Sequence, residues 1–267
     1  MKDVLRYIDF GEQVPSDFLS PMWEYARWNN ITTPTLVRGI LTKSTVTFAN
    51  LEKWDKFIYI DKISPEREIT RYYSPGGRGT VAYEAGTLIG CLFTPNFILK
   101  ELRMNPEVIT RSLMAIVVKI LKKYDIQAGS SPWRQNALDL CCKTGDKWKK
   151  FGSFLGAGLG DCYTAGFFVS LDVNLDFMRG LYKMETDKFK AKGSPKDIGD
   201  VVGGLHEIKP DITNSVFDEI PELIAKRFDW ELKEDILTQE EEKKWKALAE
   251  KLKSEEWIKY GRHPDIK

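Results

Sequence analysis

Histidine is almost missing from this chain: His206 and His263 are the two in 267 residues. That scarcity limits histidine-based metal sites and Ser-His-Asp triads to very few arrangements, and no metal site is expected. Cysteine is sparse as well. Cys91, Cys141, Cys142 and Cys162 include no C-x-x-C pair, which makes both a zinc site and a disulfide framework poor readings and favours free thiols in a reducing, cytoplasmic setting. Charge of one sign is missing too: 40 basic against 39 acidic residues leave +1, so a broadly basic surface for nucleic acid is excluded. The longest apolar runs, such as Leu113 to Val118 and Ala165 to Val169, fall far short of the roughly 20 residues that span a bilayer. The first residues, Met1 to Arg6, carry neither an apolar signal core nor an arginine-rich transit pattern. Repeats and low-complexity stretches are absent.

What is present is the composition of a folded globular protein, 42% hydrophobic, 30% charged and 12% aromatic. The length suits one large domain or two small ones, and no linker divides it. Short runs rich in branched and aromatic residues, Leu36 to Leu41, Phe57 to Ile60 and Leu88 to Phe93, read as strands. The plainest helix follows. Asn105 can cap it, Pro106 suits its first turn, and Ile109, Leu113, Ile116, Val117, Ile120 and Leu121 form one apolar stripe. A second β-rich stretch covers Ala137 to Lys143, Lys150 to Phe154 and Ala165 to Val173, with a hairpin turn at Thr144-Gly145-Asp146. Lys190 to Gly204 is polar and glycine-rich, hence a loop. Thr238-Gln239-Glu240-Glu241 is a capping-box signature for a helix to about Lys253, with Trp245, Leu248 and Leu252 on one face. The expected fold is α+β: a mixed or antiparallel curved sheet with flanking helices.

Three segments could carry chemistry. In Ser74-Pro75-Gly76-Gly77-Arg78-Gly79-Thr80, the glycines allow close backbone approach, and Arg71 and Arg78 offer donor forks for carboxylate or phosphate. The spacing matches no standard nucleotide loop, and a plain glycine-rich turn is the competing reading. Lys147-Trp148-Lys149-Lys150-Phe151-Gly152-Ser153 brings a lysine cluster into a strand; a solvated hairpin end is its bland alternative. Gly156, Gly158, Gly160 and Gly166 make room either for a narrow ligand tunnel or for bulges in a curved sheet. His206 reads as a surface loop residue and His263 as part of a terminal turn.

In this order and spacing the segments resemble the lipoate-protein ligase and octanoyltransferase family, whose catalytic domain is shared with biotin protein ligases. Arg71 through Thr87 is similar to its arginine and glycine-rich loop, and Lys149-Lys150-Phe151-Gly152-Ser153 to the segment holding its catalytic lysine. Ala165-Gly166, running on to Asn174-Leu175-Asp176, resembles its later strand, and Ser254 to Pro264 the close of its catalytic domain. The resemblance covers roughly residues 35 to 265. It implies that Lys150 holds the acyl carbonyl and phosphate of an acyl-adenylate. Arg71, Gly76, Gly77, Arg78, Gly79, Thr80, Tyr83, Ser153 and Gly166 would bind substrate or adenylate, and the strands Leu88 to Phe93 and Phe151 to Phe154 would line an aliphatic tunnel. ATP and Mg2+ would be cofactors, lipoate or octanoate the acid, and a lysine of an acceptor lipoyl domain the target. Residues 1–267 would form a single catalytic domain, with about 215–267 its helical C-terminal part. No C-terminal accessory domain is left, so a separate accessory subunit is implied.

The sequence departs from the family at two histidines: Tyr83 or Glu84 stands at one place and Ala165 at the other. Two alternatives therefore stay open. One is a transferase forming a thioester on Cys141 or Cys142, although a strand cysteine is more often a small buried hydrophobe. The other is a non-catalytic relative that binds an acyl group or a partner.

Overall fold

The computed structural model describes residues 3–49, 52–53, 55–72, 79–133, 138–190 and 195–262. In chain order these form β1 (Val4–Gln13), α1 (Pro15–Trp28), β2 (Thr35–Leu41), β3 (Thr45–Ala49), β4 (Glu68–Tyr72), β5 (Thr80–Tyr83), β6 (Leu88–Pro95), α2 (Asn96–Glu101), α3 (Glu107–Lys122), β7 (Ala128–Ser130), β8 (Asp139–Thr144), β9 (Lys147–Leu159), β10 (Cys162–Val169), α4 (Leu175–Leu181), α5 (Asp187–Lys190), α6 (Ile220–Phe228), β11 (Glu231–Asp235), α7 (Gln239–Leu252) and α8 (Glu255–Tyr260).

Eight strands form one mixed sheet in the order β11-β1-β2-β6-β10-β9-β8-β7, and β4-β3-β5 form a second, smaller one. In the large sheet β1 runs parallel to both neighbours and the other pairs are antiparallel. Alternating side chains feed two cores. Along β6, Leu88 and Leu92 face one core, whereas Ile89, Cys91 and Phe93 face the other. A strand covered on both faces reads as a continuous apolar run, which is why Leu88 to Phe93 was visible in the sequence. The α3 stripe packs into the first core beside Leu140, Phe154 and Phe167, with α6 next to it. On the opposite face lie α1 and Trp245 of α7. A third cluster joins the small sheet to α4, Phe189 and Ile198.

The helix signals operate as the residues dictate. Asn105 Oδ1 accepts from Glu107 N at 3.0 Å. At α7 the Thr238 hydroxyl accepts from Glu241 N at 3.2 Å, and the Glu241 carboxylate accepts from Thr238 N at 2.8 Å. The β8–β9 hairpin turns through Gly145 at φ +58°, a left-handed conformation suited to glycine. Two expectations are corrected. Phe57 to Ile60 is no strand: Ile58 makes a single bridge to Tyr182, and Ile60–Lys62 is a 3-10 turn. Conversely β11, with the polar sequence Glu-Leu-Lys-Glu-Asp, is a sheet-edge strand that charge had hidden.

Candidate active site

Strand β9 positions the central amine. Opposite β8 its register shifts by one residue: Asp139 pairs with Ser153 and Leu140 with Gly152, but Cys141 pairs with Lys150. Phe151 is the extra residue. The shift keeps Phe151 in the core beside Leu140 and Cys142 and turns Lys150 to the face that carries Asp139 and Ser153, a typical use of a β-bulge to re-aim a side chain. There Asp139 Oδ1 lies 2.6 Å from Lys150 Nζ and accepts from Ser153 Oγ at 2.9 Å. A carboxylate so placed neutralises the ammonium and orients it. Asp139 was not singled out in the sequence. Its one signal was a carboxylate set among apolar strand residues, Leu138-Asp139-Leu140.

Lys150 belongs to the wall of a cavity of about 70 Å³ lined by Thr80, Val81, Ala82, Lys150, Phe151, Phe168, Ser170, Val173, Met178, Tyr182, Phe189, Ile198, Val202 and Gly203. The wall is mostly apolar. Lys150 Nζ also lies 5.7 Å from the centroid of the Phe168 ring. One side of the cavity is a strap over residues 201–206. Lys150 N donates to Val201 O at 2.8 Å and Gly203 N to Lys150 O at 3.1 Å, while Leu205 N donates to Ser170 O at 3.1 Å. His206 anchors this strap. Its Nδ1 lies 2.8 Å from Asp172 Oδ1 and its Nε2 2.9 Å from Ile212 O, so it is a half-buried structural pin and not a free surface histidine. Burial would lower its pKa, but the Ile212 and Asp172 acceptors outweigh burial and raise it.

The other sequence candidates divide sharply. Thr80 and Lys150 share the cavity wall, with Ser153 one step behind through Asp139. Gly79 takes φ +144°, a conformation side chains rarely adopt; Gly76, Gly77, Arg78 and His263 lie outside the described residues. Arg71, expected to reach a carboxylate or phosphate, does something else. It is fully buried, and its guanidinium donates to the carbonyls of Ala49 (2.8 Å), Glu52 (3.0 Å), Ile258 (2.8 Å) and Lys259 (3.2 Å). Its own carbonyl accepts from Trp257 Nε1 at 2.8 Å. Burial pulls its pKa down to about 10.

Tyr83 is buried with its ring edge-on to Phe168 at 4.9 Å, one layer behind the cavity wall. Glu84 pairs with Arg67 at 2.8 Å and Ala165 sits in the first core, so the places of both family histidines are filled by packing or pairing. Gly166 makes room for protein, not for ligand: a Cβ there would lie 2.3 Å from the Trp23 ring, and one at Gly156 would lie 1.9 Å from the Tyr163 hydroxyl. Leu88 to Phe93 is likewise absent from the cavity wall, its side chains being committed to the two cores. Cys141 and Cys142 are both fully buried, and burial pushes the Cys142 thiol up to about 12, the reverse of an activated nucleophile.

No protein-family model and no curated protein matches the sequence. Solved structures do match in fold. One comes from an archaeal lipoylation system of Thermoplasma acidophilum, a bi-partite lipoate protein ligase and its E2 lipoyl domain: TM-score 0.76 and 17% identity, over 100% of both chains. A lipoate-protein ligase A bound with ATP matches at TM-score 0.73 and 15% identity, over 97% of this chain and 99% of that one. P. falciparum LipL1 in complex with lipoate matches at TM-score 0.64 and 15% identity, over 99% of this chain and 76% of that one. The chain therefore has the fold of the lipoate-protein ligase catalytic domain.

Proposed function

We propose that this chain is a lipoate-protein ligase-like enzyme. The observation that carries the reading is Lys150 in the wall of a mostly apolar cavity, its amine held by a buried carboxylate. An unbranched acyl tail gains about 0.8 kcal/mol per methylene on entering such a cavity, and its carboxyl end then meets a fixed ammonium. ATP would convert that carboxylate to an acyl-adenylate with release of pyrophosphate. A lysine amine of an acceptor lipoyl domain would then attack the acyl carbon, form the amide and expel AMP. Lys150 offsets negative charge on the acyl oxygen and phosphate as it develops, a contribution preorganised by the Asp139 and Ser153 contacts.

Among the described residues no three His, Cys, Asp or Glu side chains form a metal cluster. A magnesium ion is usually bound through one or two carboxylates plus substrate phosphates, but the cavity lining holds no Asp or Glu and Asp139 is committed to Lys150 and Ser153; the described residues therefore do not fit a protein-held ion, and a magnesium ion would come with the nucleotide phosphates. The buried thiols weigh against a cysteine acyl-enzyme. No described helix is long and apolar enough to cross a membrane, and the reading places a single catalytic domain in a reducing cytoplasm, with a separate accessory subunit as its partner. Incubation with ATP, lipoate and an acceptor domain, followed by mass spectrometry, tests the proposal. The expected result is an acceptor heavier by one lipoyl group; an unmodified acceptor, with and without an added accessory subunit, would overturn it.

A further inference from the structure

The described cavity is small. An engineered apolar cavity of about 150 Å³ holds a benzene molecule, whereas this one measures about 70 Å³. What closes it therefore decides how long an acyl chain it admits. Its walls divide into a part-exposed side and a sealed one: the Lys150 side chain is 21% exposed and Val81, Val173 and Val202 are half-buried, whereas Tyr182, Ile198 and Phe189 are 6%, 2% and 1% exposed. The first side marks the mouth and the second the depth.

Among the deep residues Tyr182 differs in kind. Met178 and Ile198 meet the cavity with flexible or small apolar groups. The Tyr182 hydroxyl, by contrast, is bonded to the backbone of β5, donating to Thr80 O at 3.2 Å and accepting from Ala82 N at 3.1 Å. Its ring meets Phe189 edge-on at 5.8 Å and 75°. Its own backbone is held as well: it bridges Ile58, Tyr59 N donates to Leu181 O, and Lys183 N donates to Phe57 O. A ring fixed at both ends cannot swing aside for a longer ligand without breaking bonds to strand β5, which also forms the wall.

We infer that Tyr182 is a specificity-determining residue: its ring is the end wall that sets the maximum acyl-chain length accepted at Lys150. The inference rests on the acyl-acid reading of the cavity. The acid enters carboxyl-last, its tail runs inward past Val81, Phe151 and Met178, and its terminal carbon stops against the tyrosine ring. The same rigidity selects straight chains over acids ending in a bulky group.

The test is calorimetric titration of the protein with straight-chain carboxylic acids from butanoate to dodecanoate. In the wild type affinity should rise about fourfold per added methylene, the factor equivalent to about 0.8 kcal/mol, and then stop rising at one length. Tyr182→Leu, which removes the ring's reach but keeps an apolar core residue, should move that plateau to acids longer by two or more methylenes. Tyr182→Phe, which keeps the ring, should leave the plateau length where it is, and this arm stands even if the leucine variant does not fold. An unmoved plateau in a folded Tyr182→Leu protein, or a shifted one in Tyr182→Phe, would overturn the inference while leaving the acyl site intact. A wild-type protein that binds no acid of any length would overturn the acyl-acid reading itself, and the end wall with it.

Discussion

Lys150 and Arg71 are two cations that the sequence offers as ligand groups, and the fold uses them in opposite ways. Lys150 faces a cavity, part-exposed, with one carboxylate beside it. Arg71 is sealed, and its fork is spent on four carbonyls from the β3 end, the following turn and α8. A lysine is a point charge that can serve a passing ligand, while an arginine has enough donors to tie several backbone ends into one knot. Proximity to a glycine-rich loop therefore did not make Arg71 a ligand group; the supply of unpaired carbonyls around it decided its role.

The contrast can be broken from either side. The largest stability effect is expected at the knot. Arg71→Ala should cost about 4 kcal/mol or more in denaturant unfolding, because four carbonyls lose a charged donor and each unsatisfied group costs about 1–3 kcal/mol; a loss near zero would mean that water replaces the guanidinium. Next comes Gly166→Ala, whose Cβ would meet the Trp23 ring at 2.3 Å. Overpacking of that kind costs about 1–3 kcal/mol, and the cost should appear in the unfolding midpoint and not in affinity for the acid, since Trp23 and not a ligand fills the space.

A third effect, confined to acid pH, is remote from both cations. Glu241 accepts from Arg6 at 2.7 Å and from the Tyr25 hydroxyl at 2.6 Å. Burial would raise its pKa, but the bonds from Arg6 and Tyr25 outweigh burial and hold it at about 2. A depressed folded-state pKa gives stability that is complete above the ordinary carboxyl value of about 4.5 and is lost as pH falls from there toward 2. Glu241→Gln should flatten the acid limb of the stability curve; an unchanged acid limb would show that the cluster does not link α7 to β1 energetically.

Much of the fold was legible because its signals are local. The α3 stripe, the α7 capping box and the Gly145 turn each depend on residues a few positions apart, and they formed as the spacing required. The strand Leu88 to Phe93 was legible because both its faces are buried. What stayed hidden depends on partners distant in sequence. The extra residue at Phe151 exists only relative to β8, and without it Asp139 cannot be seen to share a face with Lys150. The room made at Gly156 and Gly166 could be read as a tunnel or as bulges because nothing in the local sequence announces that Tyr163, Thr110 and Trp23 fill it. Phe57 to Ile60 has strand residues but no strand beside it, while the polar β11 has a neighbour in β1 that its own composition did not reveal.

The central claim is that Lys150 serves chemistry and not only the fold. Single-turnover transfer from ATP and lipoate to an acceptor domain, measured with Lys150→Ala beside a thermal melt, tests it most directly. The account predicts a rate lower by about 10²–10³-fold in the protein that remains folded, the usual loss of a preorganised charge donor, together with a lowered unfolding midpoint, because the change leaves the buried Asp139 carboxylate without its ammonium. Undiminished transfer, or a loss explained entirely by unfolding, would contradict it.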